Sequence, residues 1–173
     1  MRQVVSKGLV LFTVILPPVV NMAAEPKLSC RTVEVRQNGL EADPRLDRLE
    51  KYFAARKCPV RSLAKDFLAA SDKHGLDWRL LPSLSVVESS GGKVYRNNNI
   101  FGWANGDQRF HSVKAGIHIV AGELANSRYY RGKSLDQKLY TYNRRPLYGK
   151  RVKTVMAQLG PETFDAKPIV AKF

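Results

Sequence analysis

From Asp43 onward the chain reads as a series of short amphipathic segments separated by glycine, proline and asparagine. Leu46, Leu49, Tyr52 and Phe53 recur at helical spacing after Asp43-Pro44, an N-cap followed by a first-turn proline, and Cys58-Pro59 stops the segment. Leu63, Phe67 and Ala70 share one face of a second helix that Gly75 ends. Asp77 opens a third, carrying Trp78, Leu80, Leu81, Leu84 and Val87, and Gly91-Gly92 closes it. Between Lys93 and His111 the period is lost. Asn97-Asn98-Asn99, Gly102 and Asn105-Gly106 are interleaved with Ile100, Phe101, Trp103 and Phe110, which predicts a loop and a short β-hairpin turning at Asn105-Gly106. Helices resume after Ser112 and Ser134, both N-cap residues, and a last one carries Val152, Val155, Met156 and Leu159 before Gly160-Pro161. The expected fold class is therefore mainly α, or α+β, with one small β-hairpin or loop insertion after the third helix.

The first residues differ from the rest. Arg2 and Lys7 precede an uncharged run from Gly8 to Val20, followed by small residues at Ala23 and Ala24, the order of a secretory signal peptide. The run is shorter than the roughly 20 apolar residues of a membrane span and is broken by Pro17 and Pro18. The expected organisation is a signal peptide over 1–24, an extended or disordered strap over 25–42, a folded domain over 43–160 and a loose tail over 161–173. On this reading the protein is exported to the periplasm, the cell wall or the extracellular space, with no stable membrane insertion after processing.

Among 173 residues there are 29 Lys+Arg and 15 Asp+Glu, a formal net charge of +14, and +12 stays with the chain after residue 24. For an exported protein that charge points to cell-wall polymers and anionic lipid surfaces before nucleic acid, so no nucleic-acid partner is expected. Cys30 and Cys58 are the two cysteines, and in an oxidising compartment they are expected to form one disulfide. His74, His111 and His118 form no metal-ligand spacing, and no Gly-x-Ser-x-Gly, His-Glu-x-x-His or phosphate-binding glycine loop is present, so neither a metal nor another cofactor is expected. A monomer is the assumed state.

Glu88 is the residue whose position asks for chemistry. Leu81, Leu84, Ser85 and Glu88 stand at i, i+3, i+4 and i+7, which puts an acid on the apolar stripe of the third helix. A carboxyl drawn partly out of water with no cation beside it holds its proton more readily, the state a general acid needs. Spacing alone is also consistent with a glutamate at a frayed helix end that faces water.

The wider pattern is more specific. Leu80-Leu81-Pro82-Ser83-Leu84-Ser85-Val86-Val87-Glu88-Ser89-Ser90-Gly91-Gly92-Lys93, then Asn98-Asn99-Ile100-Phe101-Gly102-Trp103, and later Thr141-Tyr142-Asn143 resemble the glucosaminidase branch of the lysozyme-like superfamily, the mannosyl-glycoprotein endo-β-N-acetylglucosaminidase-like domains. There an apolar helix ends in Glu-Ser-Gly-x-Gly-Lys and is followed by Asn-Asn-Leu/Ile-Phe-Gly. The Glu-Ser pair and the later Tyr-Asn are also similar to blocks of lytic transglycosylases and goose-type lysozymes. The resemblance spans about residues 60 to 160.

It implies a lysozyme-like domain that cleaves β-1,4 bonds of N-acetylated glycans, with peptidoglycan or another N-acetylglucosamine-containing glycan as partner. It implies Glu88 as the catalytic acid, and Ser89, Asn99, Phe101, Gly102, Trp103, Tyr142 and Asn143 as substrate-binding residues. Local spacing reads Phe101 and Trp103 equally well as packing, and Tyr142 and Asn143 as a core tyrosine and a helix-ending asparagine. Asp107 is the candidate for a second carboxylate, although it also suits the turn beside it; Glu123 reads as part of a solvated helix face. Lytic transglycosylases manage with one acid, so a transglycosylase, or an inactive wall-binding module, is the alternative.

Overall fold

The computed structural model describes residues 43–163, which lie within one compact unit. Helix α1, Pro44–Ala55, starts where Asp43 accepts the amide of Arg45 at 2.9 Å and Pro44 supplies a preset φ, and it buries Leu49, Tyr52 and Phe53. After a tight 3-10 segment at Pro59–Leu63, helix α2, Ala64–His74, ends at Gly75 in the left-handed conformation, φ 61°. Helix α3, Leu80–Ser89, begins three residues beyond Asp77, whose carboxylate first holds the amide of Arg79 at 2.9 Å. Unlike its neighbours α3 is apolar nearly all round, with Leu80, Leu81, Pro82, Ser83, Leu84 and Ser85 buried, so it is an interior helix.

Helix α4, Val113–Asn126, is capped by Ser112 through the amide of Ala115 at 3.1 Å. Helix α5, Leu135–Tyr142, carries a full capping box between Ser134 and Gln137. Helix α6, Tyr148–Leu159, stops at Gly160. Helix α2 packs on α4, and α3 packs on α6, which also receives α5. No helix among the described residues is long and apolar enough to cross a membrane.

The stretch between α3 and α4 departs from expectation. It holds one isolated bridge, Arg96 with Asn99, and no hairpin. Asn105 and Gly106 do take the positive φ values (56° and 84°) of a hairpin turn, but Ala104 (50°) and Gly102 (60°) take them too, so the residues before the turn curl and cannot form a strand. The side chain of Asn99 does the work of a strand partner. Its Oδ1 accepts the amide of Trp103 at 2.9 Å, and its Nδ2 donates to the carbonyls of Trp103 at 2.9 Å and Gln108 at 3.1 Å. Phe101 anchors the loop, fully buried and edge-on to Phe67 with centroids 6.4 Å apart, while Phe67 meets Phe53 at 5.7 Å. Burying one such ring contributes about 1.5–3 kcal/mol, so the loop is fixed to the same core as α1 and α2.

The expected signal peptide, strap and Cys30 lie outside the described residues. Cys58 is a buried thiol, pushed up in pKa by its burial. The start of the expected loose tail is tethered: Trp78 Nε1 donates to the carbonyls of Pro161 and Glu162, at 3.3 and 3.1 Å, and Arg79 donates to that of Gly160 at 2.9 Å. Residues 164–173 lie outside the description.

Candidate active site

The end of α3 is built to stop abruptly. Ser90 turns left-handed (φ 54°), and its amide and that of Gly91 bond back to the carbonyls of Val86 and Ser85, both at 3.0 Å. Ser89 is buried, its hydroxyl donating to the carbonyl of Ser85 at 2.9 Å and accepting the amide of Gly92 at 3.0 Å. Gly91 passes so close to Cys58 that a β-carbon would lie 2.4 Å from its sulfur. Ser89 is thus a latch on the helix end and does not reach the groove.

Glu88, one residue earlier, is half-buried. Its Oε1 accepts the hydroxyl of Tyr148 at 2.7 Å. A β-carbon on Gly102 would sit 3.1 Å from its Oε2, so the loop backbone lies against the carboxyl, and a side chain there would have to displace it by a few tenths of an ångström. Tyr148 stacks on Tyr142, centroids 5.9 Å apart and planes 9° from parallel, and Tyr142 donates to the carbonyl of Phe101 at 2.6 Å. Burial, before all else, holds both phenols well above their ordinary pKa; neighbouring Tyr142 and the bond to Glu88 add to this at Tyr148, and the charge of Glu88 at Tyr142. Both therefore remain donors. Trp103 completes the aromatic wall, edge-on to Tyr142 at 5.6 Å and tilted against Tyr130 at 5.8 Å.

Two hollows meet at this carboxyl. The larger, about 680 Å³, is lined by Glu88, the loop from Gly102 to Gly106 and the stretch from Tyr142 to Arg145. The smaller, about 290 Å³, is lined by Glu88 again, with Asn143, Arg145, Tyr148 and Arg151 among its walls. Asn143 reaches both; its Oδ1 accepts the amide of Arg145 at 3.0 Å, which leaves its Nδ2 to face a ligand.

Of the residues implicated by sequence, Glu88, Gly102, Trp103, Tyr142 and Asn143 converge here. Asn99 and Phe101 do not line either hollow; they are buried and shape the loop from behind. Asp107 points away, its side chain 78% exposed and paired with Arg96 at 2.8 Å, and exposed Glu123 lines neither hollow. Glu88 is the one carboxylate lining either hollow among the described residues. No group of three or more His, Cys, Asp or Glu that could hold a metal occurs among them.

Sequence reading missed Tyr148 and Arg151, and took Asn143-Arg144-Arg145 only as a basic cluster of the kind a nucleic-acid binder carries. Tyr148 did leave a signal, since it precedes Val152 and Met156 at intervals of four and so shares the buried stripe of α6. Arg151 left none beyond the general excess of positive charge. No protein-family model matches the chain, and no curated protein matches it.

Proposed function

We propose that this chain is an exported, lysozyme-like glycosidase that cleaves β-1,4 bonds of N-acetylated glycans, with peptidoglycan as its substrate and Glu88 as its general acid. The observation that carries the reading is the seat of Glu88: one half-buried carboxyl at the junction of two hollows, so that a polymer laid through both crosses it. Tyr148 and Gly102 fix the carboxyl from two sides, which is the preorganisation that proton transfer to a glycosidic oxygen requires. Protonated Glu88 gives its proton to the bridging oxygen as the C1–O bond breaks, and the leaving sugar departs as an alcohol. The ring left behind is oxocarbenium-like, and Trp103 and Tyr142 offer aromatic walls to its C–H faces. The net charge of +12 after residue 24 suits retention in an anionic wall.

One observation favours completion of the reaction by the sugar itself. With Asp107 turned to solvent, no second carboxylate in the described hollows activates water. In the lytic transglycosylase course the C6 hydroxyl of the same sugar attacks C1 and ionised Glu88 takes its proton, which returns the acid and leaves a 1,6-anhydro ring.

Mass spectrometry of purified peptidoglycan digested by the protein, beside its Glu88→Gln variant, tests both forms. Anhydro-muramic ends identify the transglycosylase, and reducing N-acetylglucosamine ends the glucosaminidase. Binding without any Glu88-dependent product would overturn the enzymatic reading and leave a wall-binding module.

A further inference from the structure

The two hollows share a cationic bank. Arg144 and Arg145 line the larger, and Arg145 and Arg151 the smaller. All three are exposed, and none pairs with an acid among the described residues. The contrast with the rest of the described surface is informative. There Asp43, Asp47, Asp66, Asp77, Asp107 and Asp136 each hold a lysine or arginine within 4.0 Å. The groove instead faces guanidinium groups and a single acid, Glu88, which Tyr148 engages.

Like charges gathered along a groove repel one another, and an anionic ligand relieves that cost. Guanidinium is moreover the group whose planar fork matches a carboxylate in two parallel hydrogen bonds. Asn143, with its Nδ2 free between the same hollows, adds a neutral donor for an amide or hydroxyl.

We propose that Arg144, Arg145 and Arg151 form a carboxylate-binding bank, and that the glycan this groove takes bears carboxylates on its sugars' substituents. The inference rests on the glycan-cleaving reading and narrows it, because a neutral polymer of N-acetylglucosamine would leave the bank without a counterion. In a wall glycan the carboxylate has two sources: the 3-O-lactyl group of a strand stripped of its peptides, or the acidic residues of an attached stem peptide.

The experiment measures binding to the Glu88→Gln protein, so that affinity is read without turnover. The probes are peptide-free glycan strands, the same strands with their carboxyls amidated, and peptide-bearing strands of matched length. Peptide-free strands are expected to bind about tenfold more tightly than amidated ones at low salt, the size of one good charge-assisted pair, and the gap should shrink as salt rises. Arg145→Gln or Arg151→Gln should close that gap while leaving the affinity for amidated strands unchanged. Tight binding of peptide-bearing strands alone assigns the carboxylate to the stem, peptide-bearing strands that bind like amidated ones assign it to the lactyl group, and tight binding of both kinds shows that either carboxylate serves. Equal affinity for all three kinds of strand, or an arginine variant that weakens all of them alike, would overturn the proposal. Failure of the two readings is separable. Glu88-dependent cleavage of both strands at equal rates keeps the enzyme and discards the bank, whereas charge-selective binding without cleavage keeps the bank and discards the enzyme.

Discussion

Gly102→Ala separates the backbone cost of a glycine from its role at the carboxyl. Gly102 sits at φ 60°, where an L-residue costs roughly 1–2 kcal/mol. Gly75 sits at φ 61° but has nothing within 4 Å of a would-be β-carbon, so Gly75→Ala incurs the same backbone cost and no collision. At Gly102 the new methyl lies 3.1 Å from Glu88 Oε2, closer than a β-carbon ordinarily comes to a neighbour, and the carboxyl must give by a few tenths of an ångström against its 2.7 Å bond to Tyr148. A full ångström of misplacement costs on the order of a hundredfold in rate. A shift of this size is therefore worth about five- to tenfold. Urea unfolding should place both variants roughly 1–2 kcal/mol below the parent, while peptidoglycan cleavage falls about five- to tenfold in Gly102→Ala alone. Equal activity in the two variants would refute the argument that the loop backbone sets the position of Glu88.

Asn99→Ala removes three hydrogen bonds from a buried side chain and should lower unfolding stability by about 2–4 kcal/mol, with a binding loss on glycan strands that is recovered at lower temperature; a variant of parental stability would restore Asn99 to the groove. Asp107→Asn should leave the cleavage rate within about twofold, as a solvent-facing change does, and a loss of a hundredfold or more would reinstate it as a second carboxylate. Asp43 is held below its ordinary pKa chiefly by the Arg45 guanidinium, so its charge stabilises the fold at higher pH. The stability gap between the parent and Asp43→Asn should be full above about pH 4 and fade as the pH falls through the lowered folded value; urea titrations across that range check the direction.

Much of the helical frame is written locally. Asp43, Ser112 and Ser134 each cap the helix they announce, and Gly75 and Gly160 each follow the end of one, because a cap is a bond between near neighbours in sequence. Glu88 was legible for the same reason, four residues from Leu84 and seven from Leu81 on one short helix. The loop was not. Asn105-Gly106 carries a hairpin signal and the left-handed angles it requires, yet no strand forms, since the partner that organises the chain is a side chain six residues away at Asn99. Tyr148 and the arginines gain their meaning only when α6 folds back on α3, a contact across some 60 residues that periodicity cannot express.

The seat of Glu88 also has a bearing on how such a protein could be improved or ruined by selection. It occupies the last turn of α3, at the negative end of the helix dipole, and that turn itself carries no basic residue. A negative charge there is opposed by about 0.3–1 kcal/mol, so the helix dipole alone would favour glutamine. A screen that rewards only soluble, heat-resistant protein should therefore enrich Glu88→Gln and discard the proposed general acid unnoticed. The acid marks a place where the fold is held back from its own optimum, and thermostabilising efforts should leave this helix end alone.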